Sequence, residues 1–121
     1  MKKILVLCIM CLLLCGCNNP TSRVNENNSI DCNKKDELLE KGAYLIDVRT
    51  EEEYEEYHLD NAINIPVDEI LDGVMELNLN KDDLIIVYCR SGQRSIGAYR
   101  ELKNYGYTNV YDLGAISKCE K

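Results

Sequence analysis

A continuous apolar run that ends at a cysteine constrains the fold of this chain more than any other feature of its sequence. Residues 84–88, Leu-Ile-Ile-Val-Tyr, are rich in β-branched side chains and directly precede Cys89. An unbroken run of this kind is typical of a strand that is buried on both faces of a parallel sheet. Residues 90–95 are too polar and too small to continue the strand, and residues 96–102 place apolar side chains at helical spacing. The pattern predicts an α/β fold in which Cys89 lies on a strand-to-helix turn.

The turn after Cys89 has the composition of an anion-binding loop. Backbone N–H groups of a tight loop that enters a helix point toward one spot, and the helix dipole favours negative charge there. Arg90 and Arg94 add positive charge, so the loop favours the thiolate form of Cys89. Although a cysteine at the end of a strand can be an inert buried side chain, this loop is better suited to binding an anion than to packing, so we predict that Cys89 is the catalytic nucleophile. The candidate substrate-binding residues are Arg90, Ser91, Gly92, Gln93, Arg94 and Ser95.

Three segments of the chain carry distinctive motifs. Residues 89–95 read Cys-Arg-Ser-Gly-Gln-Arg-Ser, and residues 44–66 contain Asp-Val-Arg, Glu-Glu-Tyr, His-Leu and Ala-Ile-Asn-Ile-Pro in that order. Residues 110–116 read Val-Tyr-Asp-Leu-Gly-Ala-Ile. Together these segments resemble the active-site loop, the first half and the closing strand of the rhodanese family, the sulfurtransferases that carry sulfur as a cysteine persulfide. The resemblance covers about residues 30–119.

The resemblance implies a rhodanese-like α/β fold with a central parallel sheet of about five short strands flanked by helices. It implies that Cys89 takes sulfur from a small anionic donor such as thiosulfate and passes it to a thiol or to cyanide. We expect no metal, no organic cofactor and a monomer. By the same resemblance, Asp47 and Arg49 form an ion pair or brace that supports the site, and His58, the only histidine, braces a loop rather than acting as a base.

The length of the loop separates sulfur transfer from phosphate chemistry. Phosphatases with a cysteine nucleophile need a Cys-x5-Arg loop, in which the arginine folds over the phosphoryl group. Here that position is Ser95, and Arg94 comes one residue early. The shorter loop is better sized to a persulfide sulfur than to a phosphate. A cysteine-dependent phosphatase or arsenate-reductase-like enzyme, and a non-catalytic or redox-relay binding module, are the alternatives.

The N-terminal part of the chain predicts export and attachment to a membrane. A charged start and a short apolar core give residues 1–16 the character of a signal peptide. The residues before Cys17 resemble a bacterial lipoprotein signal, so Cys17 is predicted to carry a lipid anchor. Residues 17–29 are polar and predict a flexible tether, which leaves residues 30–121 as the folded domain. We therefore expect an extracytoplasmic domain held at the cell membrane, with an ordinary secretory signal or an uncleaved anchor as the alternative.

Apolar periodicity and turn residues predict the remaining elements. Helices are predicted at residues 34–41, 51–57, 68–75 and 95–105, and strands at residues 43–48, 62–65 and 110–113. Glu53 completes a capping box with Thr50, and the other acids of that helix are most simply a solvated face. The closing helix of the family is expected to be missing or reduced to a turn.

Cysteine usage and charge narrow the possible partners. Of the seven cysteines, Cys32, Cys89 and Cys119 fall in the predicted domain. They form no Cys-x2-Cys pair and have no histidine partner, so we expect no zinc site. Cys32 and Cys119 can pair in an oxidising compartment, or Cys119 can serve as a resolving thiol for Cys89. The formal net charge of -7, which becomes more negative if Lys2 and Lys3 leave with the signal, argues against nucleic acid as a ligand.

Overall fold

Residues 28–120 are the part of the chain that the computed structural model describes. The predicted signal peptide, the predicted lipid site at Cys17 and most of the predicted tether lie outside these residues. The helices are α1 (Cys32–Glu40), α2 (Glu51–Glu56), α3 (Ile70–Glu76) and α4 (Gln93–Asn104), with 3-10 turns at Val67–Glu69 and Ile116–Cys119; the strands are β1 (Tyr44–Asp47), β2 (Ile63–Asn64), β3 (Ile85–Cys89) and β4 (Val110–Ala115). Within the described residues, no helix combines the length and the apolar character that a membrane span requires.

The strands form one parallel sheet in the order β2-β1-β3-β4. This confirms the predicted parallel sheet, although it contains four strands where about five were expected. The nearest equivalent of a fifth strand is Ser29, which makes an isolated parallel bridge to Asp112 on β4. All of β3 is buried, because side chains cover both faces of the sheet. Since the carboxyl ends of parallel strands meet at one edge, the residues that follow β1 and β3 lie close together.

Two apolar layers, one on each face of the sheet, form the core. Side chains alternate between the faces along a strand, so Val87 packs in one layer and Tyr88 in the other. Leu102 of α4 packs into the first layer, and Leu38 of α1 packs into the second. Cys89 belongs to the same layer as Val87. Packing on both faces therefore fixes β3 and, with it, the position of Cys89.

The first described residues of the chain pair with the edge strand β4. The backbone carbonyl of Asn28 accepts the N–H of Asp112 at 3.2 Å, and the N–H of Ile30 donates to the carbonyl of Asp112 at 3.0 Å. The side-chain amide of Asn28 also donates to the carbonyl of Val110 at 2.9 Å. Asn28 and Ser29, which the sequence analysis assigns to the end of the tether, therefore contact the sheet. Because β4 is an edge strand, its free backbone groups pair with the incoming chain.

A disulfide holds the C-terminal segment where the family has a closing helix. After β4 the described residues form the 3-10 turn Ile116–Cys119, at the place where the sequence analysis expects a reduced closing helix. Cys119 is bonded to Cys32, with the two Cα atoms 5.4 Å apart. Of the two alternatives that the sequence left open, the structure contains the disulfide, so Cys119 is not a free resolving thiol. Cys89 is the free cysteine of the described residues.

Two helix boundaries near the turn after β3 matter for the site. Helix α4 begins at Gln93 rather than at residue 95, because Gly92 serves as its N-cap in the left-handed conformation, with φ 97°. Helix α2 has the predicted capping box, in which the Thr50 hydroxyl oxygen accepts the N–H of Glu53 at 3.2 Å. The connection between Cys89 and α4 is therefore only residues 90–92.

Candidate active site

The turn after β3 places Cys89 at the carboxyl edge of the sheet. Cys89 is the last residue of β3, and α4 begins after residues 90–92. Gly92 bends the chain into the helix with a positive φ of 97°, which residues with a Cβ rarely adopt. A Cβ at Gly92 would lie 3.7 Å from the Cα of Gly114, an ordinary contact distance. Backbone conformation, rather than lack of space, is what requires glycine here.

The sulfur of Cys89 faces backbone N–H groups. The N–H of Gly92 donates to Sγ at 3.0 Å, and the N–H of Ser95 donates to it at 3.4 Å. Gln93 and Arg94 are the first two residues of α4, so no helical carbonyl can accept their N–H groups. Cys89 is 0% exposed because it ends a strand packed on both faces, but its sulfur is directed to this polar turn. The turn is therefore suited to stabilising a negatively charged sulfur.

Ser95 and Asp112 are buried polar residues beside the turn. The buried Ser95 hydroxyl donates to the carbonyl of Gly92 at 3.1 Å and so holds the bend. Asp112 of β4 is also buried, and its Oδ1 has no hydrogen-bond partner in the structure. Burial raises the pKa of Asp112, and the nearby Ser95 side chain, Gly114 N–H and Lys118 charge partly oppose that rise. The sequence placed Asp112 only within the last strand and gave no signal for this environment.

The two arginines of the turn have different environments. Arg94 pairs with Glu53 of α2 through two bonds, Nη1 to Oε1 at 2.7 Å and Nη2 to Oε2 at 3.1 Å. Arg90 is largely exposed, and its Nε lies 3.7 Å from Oε2 of Glu53. The hydrogen bonds from Arg94 lower the pKa of Glu53 to about 2, and Glu53 raises the pKa of Arg94 in turn. The guanidinium of Arg94, predicted to bind substrate, is therefore already paired with a carboxylate that the sequence identified only as a helix cap.

Asp47 and Arg49 form a buried ion pair at the carboxyl end of β1. Nη2 of Arg49 lies 2.8 Å from Oδ2 of Asp47, and Nε donates to Oδ1 at 3.0 Å. The Tyr88 hydroxyl donates to Oδ2 of Asp47 at 2.8 Å and accepts the N–H of Leu59 at 3.1 Å. The bond to Asp47 raises the pKa of Arg49, and burial raises the pKa of Tyr88. This network joins β1 to β3 one residue before Cys89.

His58, the only histidine of the sequence, packs against helix α2. The ring of His58 stacks on Tyr54 with centroids 3.8 Å apart, and its Nδ1 lies 2.8 Å from the carbonyl oxygen of Tyr54. Residues 28–120 contain no group of three or more histidine, cysteine, aspartate or glutamate side chains placed to hold a metal ion. His58 therefore braces the end of α2.

Two of the surface cavities flank the turn. One, of about 410 Å³, is lined by Arg49, Glu53, Glu56, Tyr57, Arg90, Ile116, Ser117 and Glu120. The other, of about 280 Å³, is lined by Ser29, Ser91, Gly92, Gln93, Ile96, Asp112, Gly114, Ala115 and Lys118. Cys89 lines neither cavity. The residues of the turn therefore reach solvent on both sides, whereas the sulfur is covered.

Comparisons with known proteins agree with this fold. The chain matches the Rhodanese-like domain family over residues 31–118. It is 38% identical over 73 residues to Thiosulfate sulfurtransferase PspE of Escherichia coli strain K12, which covers 60% of this chain and 70% of that protein. It is 35% identical over 107 residues to Thiosulfate sulfurtransferase 18 of Arabidopsis thaliana, with 78% of each protein covered. Adenylyltransferase and sulfurtransferase uba4 of Ogataea parapolymorpha is 40% identical over 83 residues, and there the chain spans only 21% of the longer protein.

Among solved structures, the human single-domain sulfurtransferase TSTD1 superposes with a TM-score of 0.68. The superposition covers 78% of this chain and 98% of the human chain at 24% identity, so it shows a shared fold. The match to the family covers most of the chain and includes Cys89 and its turn. The chain therefore belongs to the rhodanese-like domain family, and the predicted fold class is confirmed.

Proposed function

We propose that the chain is an extracytoplasmic sulfurtransferase that carries a transferable sulfur atom on Cys89. The observation that carries this proposal is the pair of backbone N–H groups, from Gly92 and Ser95, that donate to Sγ at 3.0 and 3.4 Å. Such donors stabilise a thiolate before transfer and a persulfide anion after it. Two relatives that bear the name thiosulfate sulfurtransferase support this class of reaction.

The proposed reaction has two steps. In the first, the Cys89 thiolate attacks the outer sulfur of a donor such as thiosulfate, an S–S bond forms to Cys89, and sulfite leaves with the electron pair of the broken S–S bond. In the second, an acceptor thiolate attacks the outer sulfur of the persulfide and releases Cys89 as a thiolate. Cyanide can replace the thiol and leave as thiocyanate. The transferred sulfur stays at the same sulfane oxidation level through both steps, so no outside oxidant or reductant is needed.

The residues of the turn have distinct roles in this proposal. The N–H groups that contact Sγ hold the inner sulfur, and those of Gln93 and Arg94 remain for the outer sulfur and the donor. The exposed guanidinium of Arg90 meets an anionic donor as it approaches. Because Cys89 is 0% exposed, transfer requires the side chains of the turn to move far enough for the donor to touch Sγ.

The buried ion pair of β1 acts in this proposal through the position of the turn. Asp47 and Arg49 bond to each other and to neighbouring groups, and neither is hydrogen-bonded to Cys89. Asn64 donates its side-chain amide to the carbonyls of both residues at 3.0 Å. Asp47 and Arg49 are therefore supporting residues that hold the edge of the sheet.

The location outside the cytoplasm is also part of the proposal. Residues 1–16 have the pattern of an export signal, and Cys17 stands where a lipoprotein signal places the lipid. The disulfide between Cys32 and Cys119 supports this location, because disulfides persist in oxidising compartments and are rare in the cytosol. A lipid on Cys17 would hold the enzyme at the membrane surface.

Intact mass spectrometry after thiosulfate treatment tests the proposed reaction. The full chain is expected to gain one sulfur atom, and cyanide is expected to remove it with release of thiocyanate. Cys89→Ser is the matched control, since it keeps the size of the side chain and removes the sulfur nucleophile. The absence of a gain on the wild type, or an equal gain on Cys89→Ser, would contradict the proposal.

The alternatives predict different products. A cysteine-dependent phosphatase would turn over an aryl phosphate with loss of activity in Cys89→Ser, but Arg94 is bound to Glu53 rather than folded over the turn. A redox-relay module would give mixed disulfides with a partner and no added sulfur on Cys89. Either product in place of the persulfide would replace sulfur transfer as the function.

A further inference from the structure

Glu53 occupies the place at the turn where an anionic substrate is expected to bind. Its two carboxylate oxygens accept from Nη1 and Nη2 of Arg94 at 2.7 and 3.1 Å, and Oε2 lies 3.7 Å from Nε of Arg90. Arg94 presents the same paired N–H donors that guanidinium groups offer to carboxylate or oxyanion ligands. The carboxylate of Glu53 therefore fills the recognition geometry that a donor anion would otherwise use.

The position of Glu53 is fixed independently of Arg94. Glu53 is the third residue of α2, and its Oε1 accepts the Thr50 hydroxyl at 3.1 Å within the capping box. Its N–H donates to the Thr50 hydroxyl oxygen at 3.2 Å. A side chain held in this way loses little further freedom when it pairs with Arg94, and a soluble anion has no such advantage. The pairing is therefore difficult for a competing donor to displace.

The charge beside Cys89 follows from these contacts. Two arginines flank the turn, but Glu53 neutralises one of them, and the 410 Å³ cavity is also lined by the carboxylates Glu56 and Glu120. The electrostatic attraction between the site and a small anion scales with the positive charge of the site. Because Arg94 is already paired with Glu53, a second negative charge on the donor adds little to this attraction. The site is therefore less selective for dianions than its two arginines suggest.

We propose that Glu53 determines donor specificity: by pairing with Arg94 beside Cys89, it lowers the preference of the site for doubly charged over singly charged sulfur donors. The proposal rests on the proposed function and names a donor class, the singly charged compounds with a terminal transferable sulfur. Thiosulfonates and alkyl persulfides belong to this class. Glu53 acts through Arg94 and does not touch the reacting sulfur, so it is a positioning residue.

A pair of donors that differ by one charge tests this inference. Thiosulfate is a dianion, and methanethiosulfonate is a monoanion in which a methyl group replaces one oxygen; both deliver their terminal sulfur to a thiolate. The quantity measured is the ratio of kcat/KM for thiosulfate to kcat/KM for methanethiosulfonate, with cyanide as acceptor. Taking the ratio between protein variants cancels the different intrinsic reactivities of the two donors.

Glu53→Gln removes the negative charge and keeps a residue that supports a capping box. We expect it to raise the donor ratio by roughly fivefold to tenfold, mainly through the KM for thiosulfate. Glu52→Gln is the matched control, because Glu52 is an exposed neighbour on the same helix that makes no hydrogen bond or ion pair in the structure. The Glu52→Gln variant loses the same charge, and its donor ratio is expected to stay within about twofold of the wild-type value. An equal rise in both variants would contradict a specific role for Glu53.

A double-mutant cycle with Arg94→Gln extends the test. Removing Arg94 leaves Glu53 unpaired, so the donor ratio is expected to fall. Removing both charges is expected to return the ratio close to the wild-type value. If Glu53→Gln does not fold, Arg94→Gln alone still tests the inference. An unchanged donor ratio in Arg94→Gln would overturn it. Failure of the wild type to form a persulfide with either donor would instead overturn the proposed function.

Discussion

The hydroxyl of Tyr88 bridges two parts of the chain, because it donates to Oδ2 of Asp47 at 2.8 Å and accepts the N–H of Leu59 at 3.1 Å. Tyr88 is fully buried and directly precedes Cys89 in β3. Buried polar groups that satisfy each other in this way hold a unique arrangement, and each is costly to leave unpaired. The position of the Cys89 sulfur therefore depends on a hydrogen-bond network that does not touch it.

Removing the Tyr88 hydroxyl is expected to destabilise the protein. Tyr88→Phe keeps the ring but leaves the N–H of Leu59 without its acceptor and Asp47 without one donor, so we expect a loss of about 1–3 kcal/mol in the free energy of unfolding. Urea denaturation of the variant and the wild type measures this difference in the free energy of unfolding. Tyr105→Phe is the control, because that ring is 53% exposed and the change should be close to neutral. Equal stability of Tyr88→Phe and the wild type would show that the network contributes nothing.

The disulfide between Cys32 and Cys119 is expected to be a major source of stability. It closes a loop with a sequence separation of 87 residues, for which the chain-entropy estimate is about 4–5 kcal/mol. The Cys32→Ser/Cys119→Ser variant should therefore unfold at a much lower denaturant concentration. Reductant supplies the internal control, since it should destabilise the wild type to the level of the double variant and leave the double variant unchanged. A reductant effect of equal size on both proteins would contradict this assignment.

Gly92→Ala is expected to impair sulfur transfer more than folding. A Cβ at φ 97° costs about 1–2 kcal/mol, and relief of this strain would turn the Gly92 N–H away from Sγ. We expect persulfide formation to slow by at least about tenfold, because one preorganised donor to the sulfur anion is weakened. Stopped-flow or quenched mass spectrometry with thiosulfate measures the rate.

Gly97→Ala is the matched control for Gly92→Ala. Gly97 lies within α4, its φ is not positive, and nothing lies within 4 Å of a Cβ built on it. The substitution should increase stability by about 0.5–1 kcal/mol, as alanine does in helices, and leave the rate unchanged. A similar loss of rate in both variants would mean that the left-handed turn is not what positions the donor.

The features that the sequence predicted well are local ones. The strand, the turn and the helix around Cys89 are contiguous, so apolar periodicity and turn residues were sufficient to locate them. The capping box of Thr50 and Glu53 is likewise contained within one turn of helix. The apolar spacing predicts the start of α4 two residues late, because a helix cap formed by a left-handed glycine adds no apolar side chain to that pattern.

The features that the sequence did not predict join distant parts of the chain. Arg94 and Glu53 are 41 residues apart, and no local pattern shows that the two side chains meet. The contact of Asn28 with Val110 spans 82 residues, and no local pattern in the polar N-terminal segment predicts that Asn28 is paired with the sheet. The sequence alone does not decide whether Cys32 and Cys119 form a disulfide for the same reason, since the Cα separation of the two cysteines depends on the completed fold.

The ion pair of Glu53 with Arg94 predicts a specific dependence of stability on pH. The pKa of Glu53 is lowered in the folded state from 4.5 to about 2, first by its hydrogen bonds from Arg94. A carboxylate with a lowered pKa contributes stability that is complete above its unfolded pKa and is lost as the pH falls toward the folded value. At pH 7 Glu53→Gln should therefore be less stable than the wild type by up to about 1 kcal/mol, the usual range for a partly exposed pair. The difference should shrink between pH 4.5 and pH 2, as measured by urea denaturation across that window. The side chain of Glu52 has no such partner, so the stability difference between Glu52→Gln and the wild type should not shrink comparably over this pH range. If the difference between Glu53→Gln and the wild type persisted at pH 2, the charge of Glu53 would not be the cause of that difference.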